Sequence, residues 1–451
     1  MRSPCQNSPE IDGQGTGHQA VYSRDGNVPY RPICDVLVVG AGAAGIIAAW
    51  RAASLGARVV LLEKTPRLGT KILISGGGKC NITHDGDLED LLRAFRPNEA
   101  RFIRPACYRF TNREVVEMLT SRGLEVYTRP DGRIFPVHQT AKDVVAILGG
   151  YLREAGVEVR LSTPVRRILH DGNKVTGVAT DAGEIACSRV ILSVGGSSYP
   201  GSGTTGDGYP WVMELGHTVV KVRAALAPIY LHLGVDRAGV ALRDVLLKAK
   251  QGKEIARWRG DLLFTHHGVS GPTVLGVSRV VAERLPSGPV TLEVDLAPDL
   301  PHEAVLVNLS SWTTENPRKS IASYAEIYVP QRLDSFLDDL AGGPVSGLSQ
   351  KARNRIVERI KAWPLGPVRA VPLKKGEVVA GGVALDEVDP HSMRSLKCEG
   401  LYFCGEILDV AGPVGGYNLQ AAFATGFVAG ESAGSSAQEP EGVHYCPEFD
   451  Y

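Results

Sequence analysis

The stretch Asp35-Val-Leu-Val-Val-Gly-Ala-Gly-Ala-Ala-Gly-Ile-Ile-Ala-Ala-Trp-Arg-Ala-Ala-Ser-Leu-Gly-Ala-Arg-Val-Val-Leu-Leu-Glu-Lys64 decides the fold. It opens with an apolar, β-branched run that ends directly in Gly40-Ala-Gly-Ala-Ala-Gly45. A small-residue helical pattern follows from Ile46 to Leu55 and is closed by Gly56. A second apolar run, Arg58 to Leu62, ends in Glu63. Strand, tight turn, helix, strand and acid in that order read as the βαβ unit of a dinucleotide-binding domain. Gly40 permits the sharp turn off the strand, Gly42 lets the backbone approach a pyrophosphate, and Gly45 lets the helix pack closely on the strand. Together with Ala43 and Ala44 they turn the unpaired N–H groups of a helix N-terminus towards phosphate. Ala48, Ala49, Ala52 and Ala53 keep that helix slim against the sheet. Glu63, followed by Lys64, stands where a strand-end carboxylate accepts from ribose hydroxyls and disfavours a 2′-phosphate. Gly201-Ser-Gly-Thr-Thr-Gly206 has the same glycine spacing but follows Tyr199-Pro200 rather than a strand. No βαβ unit with an acid surrounds it, so no second, NAD(P)H-binding domain of this type is expected.

The chain has 451 residues, room for two or three domains, and 43% of them are apolar, ordinary for a globular protein. Forty-nine basic residues balance 49 acidic ones, so no global field draws it to nucleic acid or an anionic membrane, and neither is expected as a partner. Its cysteines, Cys5, Cys34, Cys80, Cys107, Cys187, Cys398, Cys404 and Cys446, form no C-x-x-C pair. That spacing offers neither a metal site nor a disulfide framework, and each cysteine reads as a small buried residue in a reducing, cytoplasmic setting. The opening residues to 33 are polar and lack the apolar core of a signal peptide; they and residues 436–451 read as tails. Val36 to Trp50 is too short to span a membrane, which takes about 20 residues.

Three further segments separate FAD from NAD. Gly69-Thr-Lys-Ile-Leu-Ile-Ser-Gly-Gly-Gly-Lys-Cys-Asn81 brings Ser75, Gly76, Gly77 and Gly78 close to a flat or anionic ligand, with Lys71 and Lys79 to offset phosphate charge. Asn81 carries both a donor and an acceptor for a flavin edge. Val190-Ile-Leu-Ser-Val194 is a buried-strand pattern that returns to the nucleotide sheet and turns at Gly195-Gly196. Gly400-Leu-Tyr-Phe-Cys-Gly-Glu406 is a late strand ending in Gly405 and Glu406, the latter placed for a ribityl chain. A glycine-rich loop through Gly416 then leads into a helix from about Tyr417 to Ala433. The N–H groups at its start, Tyr417-Asn418, aim at the cofactor and stabilise negative charge on a reduced flavin.

Taken together, Gly40–Gly45, Lys71–Asn81, Phe264–Pro272 and Gly400–Gln420 resemble the bacterial FAD-dependent oxidoreductases that include aminoacetone oxidases and 3-dehydro-bile-acid double-bond reductases. The motifs spread over about residues 34–435. Lys79 stands where family members tend to have Arg, and Glu377-Val-Val-Ala-Gly-Gly-Val383 lacks a threonine expected before its glycines. Met393-Arg-Ser-Leu-Lys397 places its lysine differently as well. The resemblance implies an α/β fold: an FAD-binding, Rossmann-like domain of the glutathione-reductase type, interrupted by a β-rich and helical insert.

The insert is legible as a change of texture near Thr218. Leu226–Leu233, Val240–Lys250 and Val290–Leu296 read as strands, and helical patterns run near Glu303–Trp312, Ser320–Leu340 and Ser349–Trp363. The expected division is an FAD domain at 34–217 and 367–435, a β-rich insert at 218–300 and a helical insert at 301–366, with the nucleotide sheet resuming near Val371–Val383. Such an insert roofs the flavin and shapes a substrate pocket. Within it, His266 and His267 are candidate proton donors to a substrate that receives hydride; the plainer reading is a polar loop joining strand to helix. They lack a third ligand at metal spacing. Tyr199 and Tyr417 are further candidate donors, and Cys80 has no partner cysteine nearby for redox work.

The expected function is that of an FAD-dependent oxidoreductase acting on a small molecule, with NAD(P)H as a candidate electron donor. Two reactions compete: reduction of an activated C=C bond, as in a steroid-like enone, and oxidation of a small amine with O₂. An FAD-dependent tRNA-modifying protein and a non-catalytic flavin binder are the alternatives. The sequence does not fix the oligomeric state.

Overall fold

The computed structural model describes residues 33–233, 237–337, 339–340 and 344–435. The expected tails, apart from Ile33, lie outside these residues, as do Cys5 and Cys446.

The opening motif folds as a strand Val36–Val39, a helix Ala43–Ser54 and a strand Val59–Leu62. All residues of both strands are buried, which is why they read as unbroken apolar runs rather than alternating ones. They are the centre of a five-stranded parallel sheet in the order Leu401–Phe403, Val190–Leu192, Val36–Val39, Val59–Leu62, Glu158–Arg160. The strands foreseen at Val190 and Leu401 thus return to this sheet, in register Val190↔Leu37 and Val190↔Leu401.

The last helix, Tyr417–Ser435, lies directly on the first. A Cβ on Gly426 would come within 2.3 Å of the Ala44 carbonyl oxygen, and one on Gly430 within 2.2 Å of that of Ala48. A Cβ on Gly434 would meet the Ala52 backbone at 2.9 Å. Glycines and alanines repeating every fourth residue therefore let two helices meet backbone to backbone. The same constraint acts within the opening turn, where a Cβ on Gly45 would sit 1.9 Å from the Gly40 carbonyl oxygen.

Between the two halves of this domain, a closed barrel is formed by strands Ile229–Leu231, Gly268–Ser270, Lys253–Thr265, Ala241–Gln251, Thr291–Asp295 and Trp363–Ala370. The expected boundary at residue 300 does not separate two bodies. The helices His302–Glu315 and Gln350–Lys361 form an excursion between two adjacent barrel strands, and they share one apolar core with the barrel. The helix expected over Ser320–Leu340 is broken into Ile321–Ala325 and a 3₁₀ stretch Gln331–Leu337, with Pro330 between them.

The nucleotide sheet does not resume at Val371–Val383. Val378–Val383 pairs antiparallel with Val219–Ala225, forming a separate two-stranded ribbon along which the chain leaves for the barrel and returns. All of Val378–Val383 is buried, so its sequence looks like that of a core strand of the main sheet. The junction is also tied by charge. Arg279, on the helix Pro272–Arg284, pairs with the buried Glu99 and with Glu283, and donates to the Ala411 carbonyl at 2.7 Å.

Lys397, which the sequence left unplaced, belongs to a clamp at the far end of the ribbon. It pairs with Glu387 at 2.6 Å, and Glu387 also accepts from Thr218 N at 2.7 Å and faces His217 Nδ1 at 3.2 Å. Burial pushes the Glu387 carboxyl up, but Lys397 and Thr218 outweigh it and hold the pKa at about 2. Burial holds the His217 imidazole below its usual value against the pull of Glu387.

Two outcomes are expected. Gly430→Val should destabilise the chain by about 1–3 kcal/mol through overpacking, read as a lower denaturation midpoint, while Ser435→Ala at the exposed end of the same helix should not. The clamp should fail in acid. A carboxyl depressed in the folded state contributes fully above its unfolded pKa, and that contribution is lost as pH falls towards 2. A depressed histidine adds to the loss below its ordinary value, because the unfolded chain then binds the extra proton. Glu387→Gln should cost about 2 kcal/mol at neutral pH and flatten the acid limb of a stability–pH curve.

Candidate active site

A cleft of about 560 Å³ runs from the opening turn to the underside of the insert. Its first wall is the turn itself. Gly40 has φ +99°, the left-handed region that favours glycine, and its missing Cβ would strike Ser193 O at 2.6 Å. A Cβ on Gly42, by contrast, would meet nothing within 4 Å: here the backbone faces open cleft. The helix that starts at Ala43 has no side-chain cap and no acid in its first turn, so its N–H groups and dipole are open to an anion. Ala43 and Ala44 line the cleft, whereas Gly45 is withdrawn into the helix–strand contact.

Glu63 is locked by two backbone donors, Ala41 N at 2.7 Å and Thr65 N at 2.8 Å. Each oxygen keeps a lone pair for a ribose hydroxyl. Lys64 is held at 2.6 Å by Asp207 and also bonds Thr205. Of the rejected glycine motif, Ser202, Gly203 and Thr204 line the same cleft as the first motif.

Lys71 does not stand free for phosphate. It pairs with Glu406 inside the cleft and donates to Ser198 Oγ at 3.2 Å. Glu406 in turn accepts from Val379 N at 2.9 Å, so this pair fastens the ribbon to the nucleotide domain. Gly195 has φ +70° and Gly405 φ +74°, and added Cβ atoms would strike Thr204 and Ala44 at 2.7 Å and 2.8 Å. Ser75–Gly78 form one tight turn in which Gly76 and Gly77 have φ of 56° and 69°. Ser75, Gly76 and Gly77 line the cleft; Gly78 and the exposed Lys79 do not. Asn81, with its amide oriented to satisfy both ends, donates to Thr83 O at 3.2 Å and accepts from Gly416 N at 2.9 Å, tying this turn to the last glycine loop.

The last helix supplies the opposite wall. A Cβ on Gly416 would meet the Thr83 backbone at 2.5 Å. The Asn418 amide is spent on the loop before it, accepting from Gly412 N and donating to Gly412 O, both at 2.9 Å. Tyr417 turns away from the cleft and stacks on His84 at 4.6 Å. Its phenol is thus not placed as a proton donor. Nor are His266 and His267. They are the exposed tip of a barrel hairpin closed by Thr265↔Gly268, with the His267 ring 5.3 Å from Tyr230, and neither lines the cleft. The polar-loop reading describes them. Cys80 is buried, with burial pushing its thiol up to about 11, so it offers no thiolate at neutral pH.

Sequence reasoning missed the residues that only the insert brings in: Leu226, Pro272 and Leu275 line the cleft with Glu377 from the ribbon and Val414 from the last loop. They come from four separate segments, so no single spacing rule brings them together, although Pro272 and Val414 lie within stretches that carry the family resemblance. Among the described residues, no group of three or more His, Cys, Asp or Glu is placed to hold a metal, and no helix is long and apolar enough to cross a membrane.

Fold and cleft define a Rossmann-type FAD-dependent oxidoreductase. The chain belongs to the HI0933-like family, whose Rossmann-domain model matches residues 34–432. It is 30% identical over 401 residues to a ribosomal RNA dihydrouridine synthase of Escherichia coli, covering 87% of this chain and 96% of that one. It is 31% identical over 407 residues to a 3-dehydro-bile acid delta(4,6)-reductase of Clostridium scindens, covering 88% and 98%. Among solved structures, 3-ketosteroid delta1-dehydrogenase from Sterolibacterium denitrificans matches with a TM-score of 0.51 at 15% identity, covering 89% of this chain and 99% of that one, a likeness of fold.

Glu63→Ala should weaken FAD binding about 10–100-fold, the equivalent of losing one or two charge-assisted hydrogen bonds. Fluorescence titration of the flavin-free protein with FAD measures this; a Thr65→Ala control keeps the backbone donor and should bind normally.

Proposed function

We propose that this enzyme saturates a carbon–carbon double bond conjugated to a carbonyl, with reduced nicotinamide nucleotide as electron source. Gly40, Gly42 and the first turn of the helix Ala43–Ser54 take the pyrophosphate of FAD, and Glu63 takes the adenosine ribose. Ser75–Gly77, Gly405 and Gly415–Gly416 flank the rest of the cofactor. Bound FAD supplies two-electron hydride chemistry. The protein's part is to hold the substrate against it under a water-excluding roof, which Leu226, Pro272 and Leu275 suit by being apolar.

The observation that carries the reading is a shared chemistry across full-length relatives. Forming dihydrouridine saturates a uracil C=C bond conjugated to a ring carbonyl, and a delta(4,6) reduction of a 3-dehydro-bile acid saturates a C=C system conjugated to its ring ketone. One reaction type thus accounts for two relatives whose substrates differ greatly in size. Neither of these two relatives is named for amine oxidation. A small conjugated ketone fits the zero net charge of the chain. A nucleobase within RNA is the second reading, favoured by the ribosomal RNA relative and by the exposed Lys374 and Lys375 just before the cleft residue Glu377.

Anaerobic reduction by NADH or NADPH, followed by mixing with acceptor, tests both. Reoxidation by a conjugated steroid ketone, faster than by O₂, is the expected result. Reoxidation only by uridine-containing RNA, weakening steeply with salt, would select the second reading, and rapid reoxidation by O₂ alone would overturn both.

A further inference from the structure

Four carboxylates line the cleft: Glu63, Asp207, Glu377 and Glu406. Three are already committed. Glu63 holds the backbone of Ala41 and Thr65, Asp207 holds Lys64, and Glu406 holds Lys71 and Val379 N. No described residue hydrogen-bonds or ion-pairs the carboxyl of Glu377.

The backbone around Glu377 is nevertheless fixed. Its N–H donates to Leu226 O at 3.0 Å, where the chain enters the insert. Two residues on, Val379 is anchored to Glu406 and directs its side chain at Gly196, where a Cβ would come within 2.4 Å of Val379 Cγ2. Val379 is buried in that contact, while Glu377, just before the strand, is exposed to the cleft it lines. Glu377 thus lines the same cleft as the apolar insert residues Leu226, Pro272 and Leu275, next to the first of them along the ribbon. Its surroundings press on its charge from two sides. Although Glu377 is open to the cleft, the protein packed around it pushes the carboxyl above the usual range and Lys71 pulls it back, with the balance upward. The other charged groups at hand are Glu406, paired with Lys71, and Lys374 and Lys375 on the turn before it.

We propose that Glu377 is the proton donor that completes the reduction, a role that rests on the function proposed above. Saturating the conjugated bond adds one hydride and one proton. The hydride goes to the carbon β to the carbonyl, its two electrons coming ultimately from NAD(P)H. The proton goes from the Glu377 carboxyl to the α carbon, leaving a saturated carbonyl compound and a carboxylate that regains its proton from water. A raised pKa shifts the carboxyl towards the protonated form that can give a proton.

The test has a readout that needs no turnover. In the flavin-free protein near neutral pH, infrared difference spectra of wild type against Glu377→Gln should show a protonated-carboxyl C=O band that belongs to Glu377. In the holoenzyme, Glu377→Gln should leave flavin binding and reduction by NAD(P)H unchanged but slow reoxidation by the conjugated acceptor about 10²–10⁴-fold, the usual worth of a general acid. Glu377→Asp should recover part of that rate, and Glu303→Gln, exposed on the helix His302–Glu315 and outside the cleft lining, should lose little. The wild-type reoxidation rate should fall as pH rises through the raised pKa, and the Gln variant should lose that dependence. Normal reoxidation in Glu377→Gln, or no protonated-carboxyl band, overturns the assignment while the proposed reaction stands. If wild type itself is reoxidised by no conjugated acceptor, the reaction fails and the assignment falls with it.

Discussion

The structure depends on backbone touching backbone. At three successive turns, Gly426, Gly430 and Gly434 rest on Ala44, Ala48 and Ala52. Inside the first turn, Gly45 rests on the Gly40 carbonyl. These contacts bring the first and last helices of the chain together beneath one sheet, although nearly 400 residues separate them in sequence. They also fix where both helix N-termini open. A dipole end is useful to a cofactor only if it is held still, and close packing without side chains in between is the stiffest way to hold it.

From that contact the rest of the site can be traced outward. The first helix presents its uncapped N-terminus beside Glu63; the last presents Gly415, Gly416 and Asn418 on the other side. Asn81 bridges the two glycine loops through Gly416, and the Lys71–Glu406 pair carries the link to the ribbon through Val379. The polar groups foreseen as cofactor ligands are thus partly structural. A partly buried ion pair such as Lys71–Glu406 adds little net stability, but losing one partner strands the other, so the pair defines geometry more than it adds energy. The Arg279–Glu99 pair plays the same part on the opposite side of the junction.

The insert supplies what the nucleotide domain lacks. Its barrel is closed and therefore has no exposed edge, and the helical excursion completes its core. Because the chain leaves and returns along one two-stranded ribbon, a single small element sets the roof over the cleft.

The sequence by itself determined the βαβ unit, the cofactor class and the return of Val190–Leu192 and Leu401–Phe403 to the sheet. Buried parallel strands are uninterrupted apolar runs, and close backbone approach demands glycine, so both leave a local trace. The tertiary structure decided the rest. Val378–Val383 has the composition of a core strand, and only its partner shows that it belongs to a ribbon. His266 and His267 have catalytic chemistry, but a hairpin puts them at an exposed tip away from the cleft. Glu377 heads a segment that departs from the family pattern, and nothing in its local sequence puts it in the cleft. Its place in the cleft comes from the pairing of two strands more than 150 residues apart, and long-range pairing leaves no spacing rule in the chain for a reader to find.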